Sequence, residues 1–127
     1  MLLLMRYTLT IPGVPPSTNE YERWYKHRQR EQKRIWESAV NGLCNQKGHR
    51  APRGLTKVVI RSVIFFTTNR NRDSADNYRH PFYKWTLDGL RYAKVLLNDT
   101  SENVLAHDPV LSVGSEEQTF VVIEWEG

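Results

Sequence analysis

The sequence predicts a small α+β domain in which a single sheet of about four strands is covered by two helices. Three observations lead to this fold class. The 127 residues suffice for one domain, residues 1–127, and leave too little chain for a second core. A composition with 39% hydrophobic and 11% aromatic residues provides that core and excludes a disordered chain. Apolar residues follow strand or helix spacing in the order β-α-β-α-β-β.

The first half of the chain predicts a strand, a helix and a second strand. Residues 6–11 alternate polar and apolar side chains, which indicates a strand, and the prolines that follow end it. Apolar residues at helical spacing predict a helix from about Glu20 or later to about Asn45. Residues 55–67 are rich in Val, Ile and Phe, so we expect the central strand there.

The second half predicts one helix and two further strands. The second helix covers residues 81–97, with a proline in its first turn. Gly89 inside this helix weakens it by about 1 kcal/mol relative to alanine. Residues 98–109 are predicted as a loop, and residues 110–113 and 119–125 as strands.

The charges are distributed unevenly along the chain, although the formal net charge is only +4. Residues 1–94 contain all 18 Lys and Arg residues and seven acidic residues, whereas residues 95–127 contain seven acidic residues and no Lys or Arg. Such asymmetry favours a face that meets a polyanion, of which nucleic acid is the commonest in the cytosol. An ordinary solvated surface is the alternative.

Several classes of function are disfavoured by what the sequence lacks. A single cysteine, Cys44, allows neither an internal disulfide nor a cysteine-rich zinc site. The sequence has no glycine-rich phosphate loop and no apolar run of about 20 residues. We therefore expect a cytoplasmic protein with no membrane partner. If DNA is the polyanion that it meets, we expect it to associate with the nucleoid while it acts.

The strongest candidate for chemistry is the polar segment 69–77, between the central strand and the second helix. It contains Asp73 and Asp76, preceded by Arg70 and Arg72. A nuclease must bring an anionic phosphodiester to carboxylates, and a divalent cation with oxygen ligands cancels the repulsion. The arginines would contact neighbouring phosphates. Alternatively, the two aspartates only cap turns and the second helix.

Two further charged positions lie in the second helix and just after it. Asp99 follows that helix, whose length of about 24 Å means that the loop must fold back to bring Asp99 near Asp76. Lys84 stands four residues before Asp88, which predicts an ion pair worth a few tenths of a kcal/mol. The functional alternative places the Lys84 ammonium where charge develops on the phosphate during cleavage.

A basic stretch in the first helix is the main candidate for DNA contact. Residues 23–34 carry six basic side chains, with Trp24 and Tyr25 among them. These aromatic residues either stack on exposed bases or belong to the core or a dimer contact, and the sequence leaves this open. The predicted DNA-contacting residues are Lys26, Arg28, Arg30, Lys33, Arg34, Arg70, Arg72 and Arg79.

Short motifs in a fixed order extend over nearly the whole chain. They are Pro15-Pro16-Ser17-Thr18-Asn19, Arg72-Asp73 to Asp76-Asn77, Lys84 with Asp88-Gly89-Leu90, and Asn98-Asp99 with Val104. In this order and with this strand-helix layout, the chain resembles the RusA family of Holliday junction resolvases. Each motif is short, and their order makes the set specific.

The resemblance implies a homodimeric, magnesium-dependent endonuclease that makes paired nicks in four-way DNA junctions during recombination and repair, with Mn²⁺ as a possible substitute. It implies metal ligands at Asp73, Asp76 and Asp99 and a catalytic lysine at Lys84. The chain departs from the family pattern in a longer spacing between the first two aspartates, a later lysine, and an asparagine in place of one of the paired aspartates. Arg79 is the alternative to Lys84 as the basic group.

Three other functions stay open at this point. A non-catalytic module that binds DNA junctions would show salt-sensitive binding with no metal requirement. A metal nuclease for other branched or single-stranded DNA would differ only in its ranking of substrates. A protein-interaction domain with an incidental basic face would show no appreciable DNA binding at moderate salt.

Overall fold

The computed structural model describes residues 3–68, 74–97 and 103–127 and has a mixed α+β fold, which confirms the predicted fold class. These residues form one sheet of five strands, three α-helices and a short 3-10 helix. The strands are β1 (Leu4–Pro12), β2 (Val58–Phe66), β3 (Val104–Ala106), β4 (Val110–Val113) and β5 (Gln118–Glu126). The helices are α1 (Thr18–Arg23), α2 (Lys26–Cys44) and α3 (Phe82–Tyr92), and the 3-10 helix covers Ala75–Tyr78.

The sheet is four strand positions wide, because two short strands share one edge. β5 pairs antiparallel with β1 on one side and with β2 on the other. β3 and β4 lie one after the other along the far side of β2, both parallel to it. The last two predicted strands are therefore not a hairpin: the chain crosses the end of β2 between β4 and β5.

The core lies between one face of the sheet and the helices α2 and α3. Alternate residues of each strand point to this face, as the period of two requires. Leu9, Ile60 and Ile123 from three strands meet Val40 of α2 and Leu90 of α3, and each of these residues is at most 1% exposed. None of the described helices is long and apolar enough to cross a membrane.

The predicted first helix is α2, which begins at Lys26, in agreement with the predicted start at Glu20 or later, and a separate short helix precedes it. Ser17 caps α1, its Oγ accepting a 3.2 Å hydrogen bond from the Glu20 backbone N–H. Trp24 and Tyr25 then have extended backbone, with ψ of 147° and 150°, so helical hydrogen bonding is interrupted before α2. The sequence does not reveal this break, because neither proline nor glycine stands at positions 24 and 25.

The second helix is shorter than predicted, and the loop after it contains a strand. α3 ends at Tyr92 because Lys94 has a left-handed φ of 66° and the Val95 N–H turns back to the Leu90 carbonyl at 2.9 Å. Val95 is buried, as its apolar character requires, but outside the helix. β3 lies within the predicted loop because its three residues are too few to show a strand period.

Candidate functional site

Residues 74–80 form a loop that we call the acidic loop, and Asp76 lies on its surface. The Asp76 side chain is exposed, and its Oδ1 accepts a hydrogen bond from the Ser74 hydroxyl. The Asn77 backbone N–H donates to the Ser74 carbonyl at 2.9 Å, which closes the turn of the 3-10 helix. The loop therefore presents one oriented carboxylate to solvent.

The start of α1 packs directly against the acidic loop. The Thr18 hydroxyl donates a 2.9 Å hydrogen bond to the Asn77 carbonyl and also contacts the His80 carbonyl oxygen. The Tyr21 ring meets the His80 ring edge to face, with 5.5 Å between centroids. Two of the quoted motifs, the proline-rich segment and the Asp76-Asn77 pair, are thus adjacent in space although 59 residues separate Thr18 from Asn77.

Part of the predicted site lies outside the described residues. Asp73 and Asp99 do, as do Arg70 and Arg72, so their assigned roles stay predictions. Among residues 3–68, 74–97 and 103–127, no group of three His, Cys, Asp or Glu side chains is arranged to hold a metal ion. Asp76 is the one predicted ligand whose surroundings the structure describes.

Lys84 belongs to an ion-pair cluster centred on Asp88. The Asp88 side chain is only 3% exposed and accepts from Lys84 at 3.3 Å, as the spacing of four residues predicts. It is also paired with Lys33 of α2 at 3.1 Å and with Arg91 at 3.2 Å. One carboxylate therefore links α2 to α3, and Lys33, predicted to contact DNA, makes that link.

The protonation behaviour of this cluster follows from burial and charge. Burial alone would raise the pKa of Asp88, but the hydrogen bonds and charges of Lys33 and Lys84 hold it below its ordinary value. Burial raises the pKa of neighbouring Glu37, against the opposing charge of Lys33 at 3.8 Å. The sequence did carry a signal for Asp88, because basic residues stand four positions before it and three after it on an otherwise apolar helix face.

Arg79 links the acidic loop to the end of β3 and to the segment that follows β3. Its guanidinium donates to Asp108 Oδ1 at 2.7 Å and to the Ala106 carbonyl at 3.3 Å. It also lies over the Tyr83 ring, 5.3 Å from the centroid. The Tyr83 hydroxyl is in turn 3.1 Å from Ser62 Oγ in the core. Arg79 therefore has a positioning role in the structure, alongside its predicted contact with DNA.

The N-terminal half of α2 presents most of the predicted DNA-contacting side chains. Arg30 and Arg34 are exposed and line a shallow groove of about 320 Å³ that Tyr92 of α3 borders. Lys26, Arg30 and Arg34 are exposed within one sector of the helix, and we call them the basic face; Arg28 is also exposed but lies about 160° around the helix from Lys26 and over Trp24. Such a face can contact several phosphates along one strand.

The two aromatic residues left undecided by the sequence occupy different environments. Trp24 packs against the core, and the Arg28 guanidinium carbon lies 4.4 Å from the centroid of its ring. Tyr25 is 86% exposed. Trp24 is therefore a packing residue, whereas Tyr25 is accessible to a partner.

The acidic C-terminal segment is partly neutralised by basic residues from earlier in the chain. Glu124 lies 3.0 Å from both Arg6 and Arg61 on the sheet face opposite the helices. Hydrogen bonds from these two arginines hold the pKa of Glu124 below its ordinary value. The charge asymmetry of the sequence is therefore weaker in space, because strand pairing brings opposite charges together.

Comparison with known proteins assigns the chain to no group. No model of a known protein family matches it, and no functionally curated protein matches it either. The acidic loop, the Asp88 cluster and the basic face are therefore the features on which a function can be proposed.

Proposed function

We propose that this chain is a magnesium-dependent, structure-selective endodeoxyribonuclease that resolves four-way DNA junctions by paired nicks. The observation that carries the proposal is the Thr18–Asn77 contact, 2.9 Å between hydroxyl and carbonyl oxygens. It supports the proposal because it brings together two motifs through which the sequence resembles the RusA family. The exposed basic face on α2, which follows α1 in the chain, adds a surface suited to binding a polyanion.

The donor chemistry of the acidic loop fits a hard divalent cation. Asp76 offers an exposed carboxylate, and Mg²⁺ binds through a few carboxylate oxygens while keeping several waters. Asp73 and Asp99 are the predicted companions of Asp76, and Mn²⁺ would bind the same donors. When bound, the metal supplies charge neutralisation at the scissile phosphate and a more acidic water.

The remaining tasks fall to side chains of this chain. Ser74 orients the Asp76 carboxylate, and Thr18 holds the loop against α1. The basic face binds the DNA backbone and sets its register. Lys84 is 54% exposed, and Asp88 retains Lys33 and Arg91 when Lys84 turns away. Lys84 is therefore able to meet a phosphate without leaving a buried carboxylate unpaired.

A homodimer gives this activity its symmetry. Two identical sites related by a two-fold axis match two strands related by the symmetry of a four-way junction. We propose that the chain acts in this form, on cytoplasmic DNA at the nucleoid. Sedimentation of the protein alone and with junction DNA tests it, and a protein that remains monomeric in both would contradict it.

A panel of labelled DNAs tests the activity itself. The panel contains four-way junctions of varied sequence and arm mobility, a flap, a single strand and a linear duplex, each with Mg²⁺ and with EDTA. We expect symmetric, Mg²⁺-dependent nicking of junctions and intact linear duplex. Preferred cutting of the flap or single strand would assign a metal nuclease of another specificity. Absence of any DNA binding at moderate salt would indicate a protein-interaction domain instead.

One observation favours a second candidate, a junction-binding module without catalysis. Both candidate catalytic cations are paired with carboxylates: Lys84 with Asp88 at 3.3 Å and Arg79 with Asp108 at 2.7 Å. If these pairs persist on DNA, neither cation is available to stabilise charge on a phosphate. This candidate predicts tight, salt-sensitive junction binding in Mg²⁺ with no cut product.

A further inference from the structure

The corner between α1 and α2 presents one aromatic side chain to solvent. Tyr25 is 86% exposed, the highest exposure among the large hydrophobic side chains described. Its neighbour Trp24 is packed against the core, so the corner does not owe its stability to Tyr25. Because it is so exposed, the Tyr25 ring adds little to the folded core and is accessible to a partner.

Backbone and side-chain hydrogen bonds hold this corner in place. The Trp24 N–H donates to the Tyr21 carbonyl at 3.1 Å, and the Gln29 N–H donates to the Tyr25 carbonyl at 3.0 Å. The Gln29 side chain spans the corner and donates to the Tyr21 carbonyl at 2.9 Å. The Tyr25 ring therefore projects from a fixed point, which reduces the ordering cost of binding.

The charge around Tyr25 indicates the chemistry of its partner. Arg23, Lys26 and Arg28 are exposed on either side of it, and Arg28 is stacked on Trp24. Cations flanking an exposed aromatic ring are the arrangement that binds single-stranded nucleic acid, with phosphates on the cations and a base on the ring. Bases inside a duplex are already stacked and offer no free face. The matching partner is a nucleotide that is unpaired or unstacked.

The corner is also close to the acidic loop. α1 begins at Thr18, which contacts Asn77; its six residues span about 9 Å, and the extended residues Trp24 and Tyr25 add up to about 7 Å. A DNA strand advances about 3.4 Å per nucleotide. A base stacked on Tyr25 would thus lie within roughly five nucleotides of the acidic loop, which places an unstacked base near the proposed point of cleavage.

We propose that Tyr25 stacks on an unpaired or unstacked DNA base and thereby selects DNA that is open near the cut. This inference rests on DNA being the partner in the proposed function and is independent of catalysis. It adds a basis for discrimination between a junction, whose bases open at the exchange point, and a continuous duplex.

A binding experiment in EDTA tests this without any cleavage. A four-way junction and a linear duplex each carry 2-aminopurine, at the exchange point in the junction, and binding and fluorescence are titrated. We expect Tyr25→Ala to weaken junction binding about tenfold (about 1.4 kcal/mol) and to change duplex binding less than twofold. Quenching of the 2-aminopurine on binding should be lost in Tyr25→Ala and retained in Tyr25→Phe.

Two controls make the result specific. Ile35→Ala removes a half-exposed apolar side chain from α2 and should leave both affinities unchanged. Thermal melting checks that Tyr25→Ala is folded. The proposal would be overturned if Tyr25→Ala weakened binding equally on both DNAs, left junction binding unchanged, or changed only self-association of the protein. Failure of the wild type to bind DNA would also overturn it. Intact stacking with no cleavage in Mg²⁺ would instead leave Tyr25 supported and count against the nuclease.

Discussion

The Thr18 hydroxyl of α1 donates a 2.9 Å hydrogen bond to the Asn77 carbonyl of the acidic loop. Because a hydroxyl carries a single proton, it donates to Asn77 or to the neighbouring His80 carbonyl, not to both at once. This contact joins the start of α1 to the residue after Asp76. A polar contact from a distant part of the sequence therefore lies next to the candidate ligand.

Replacing Thr18 tests whether this contact positions the loop. We expect Thr18→Val to reduce cleavage about tenfold while lowering the free energy of unfolding by about 1 kcal/mol, the usual net value of one hydrogen bond. Thr18→Ser keeps the hydroxyl and should retain most of the activity. Cleavage rates and denaturant melts of both variants check this. Equal activity of the Val and Ser variants would show that the contact does not position the site.

Substitutions of Lys84 and of its partner Asp88 distinguish a catalytic role of Lys84 from a purely structural one. Lys84→Met should abolish cleavage if the ammonium meets the phosphate, and it should cost only a few tenths of a kcal/mol of stability. Asp88→Asn removes the partner but keeps the lysine, so we expect it to retain cleavage when assayed well below its melting temperature. Single-turnover rates and melting curves distinguish the two. Full activity of Lys84→Met would exclude the catalytic role.

The stability of the α2–α3 contact should depend on the ionisation of Asp88. The pKa of Asp88 is lowered in the folded state. The stability that its ionised form adds is therefore fully present above the ordinary pKa of 3.8 and is lost as pH falls through the lower pKa of the folded state. We expect Asp88→Asn to lower the free energy of unfolding at pH 7 by about 1–3 kcal/mol. The difference from wild type should shrink as pH falls below about 4 in urea melts.

Glu37, in the same cluster, provides a control because its pKa is shifted in the opposite direction from that of Asp88. Burial raises its pKa, so the folded state disfavours its charged form and gains from protonation as pH falls. Glu37→Gln should therefore not destabilise the protein at pH 7. Destabilisation by Glu37→Gln as large as that by Asp88→Asn would contradict the assignment of Asp88 as the centre of the cluster.

The basic face should bind DNA through phosphates. Each phosphate contact removed lowers the slope of log K against log salt by about one, so Arg30→Gln with Arg34→Gln should lower it by about two. Lys47→Gln, in the loop after α2, removes one exposed charge at a distance from this face along the helix and should leave the slope unchanged. Affinity titrations over a salt series measure this. A fall of about one in the slope for Lys47→Gln would indicate non-specific attraction.

The sequence predicts the strands and the apolar helix faces well, since both depend on local periodicity. Gly89, which weakens α3 in isolation, is explained only by packing: a Cβ there would lie 3.0 Å from the Val40 side chain of α2. The close approach of two helices is a tertiary feature that spacing within one helix does not reveal. The same holds for the break at Trp24 and for β3, which depends on its pairing with β2.

The candidate site was only partly predictable for a similar reason. Neighbouring polar residues mark Asp76 as a candidate ligand, which stays a prediction, and helical spacing predicts the Lys84–Asp88 ion pair that the structure shows. It does not reveal that Lys33 reaches Asp88 from another helix at 3.1 Å, or that Asp108 neutralises Arg79 at 2.7 Å. These contacts join residues 55 and 29 positions apart in the sequence. Whether a charged side chain is available to DNA or is held in an ion pair therefore has to be decided from the fold.

The central claim is that the acidic loop holds the metal that cuts DNA, and Asp76→Asn tests it most directly. The variant keeps the size and hydrogen bonding of the side chain and removes its charge. Junction cleavage in Mg²⁺ and junction affinity in EDTA are measured for wild type, Asp76→Asn and the double variant with Asp73→Asn. We predict loss of cleavage with retained binding in both variants. Cleavage that persists at the wild-type rate in the double variant would contradict the claim.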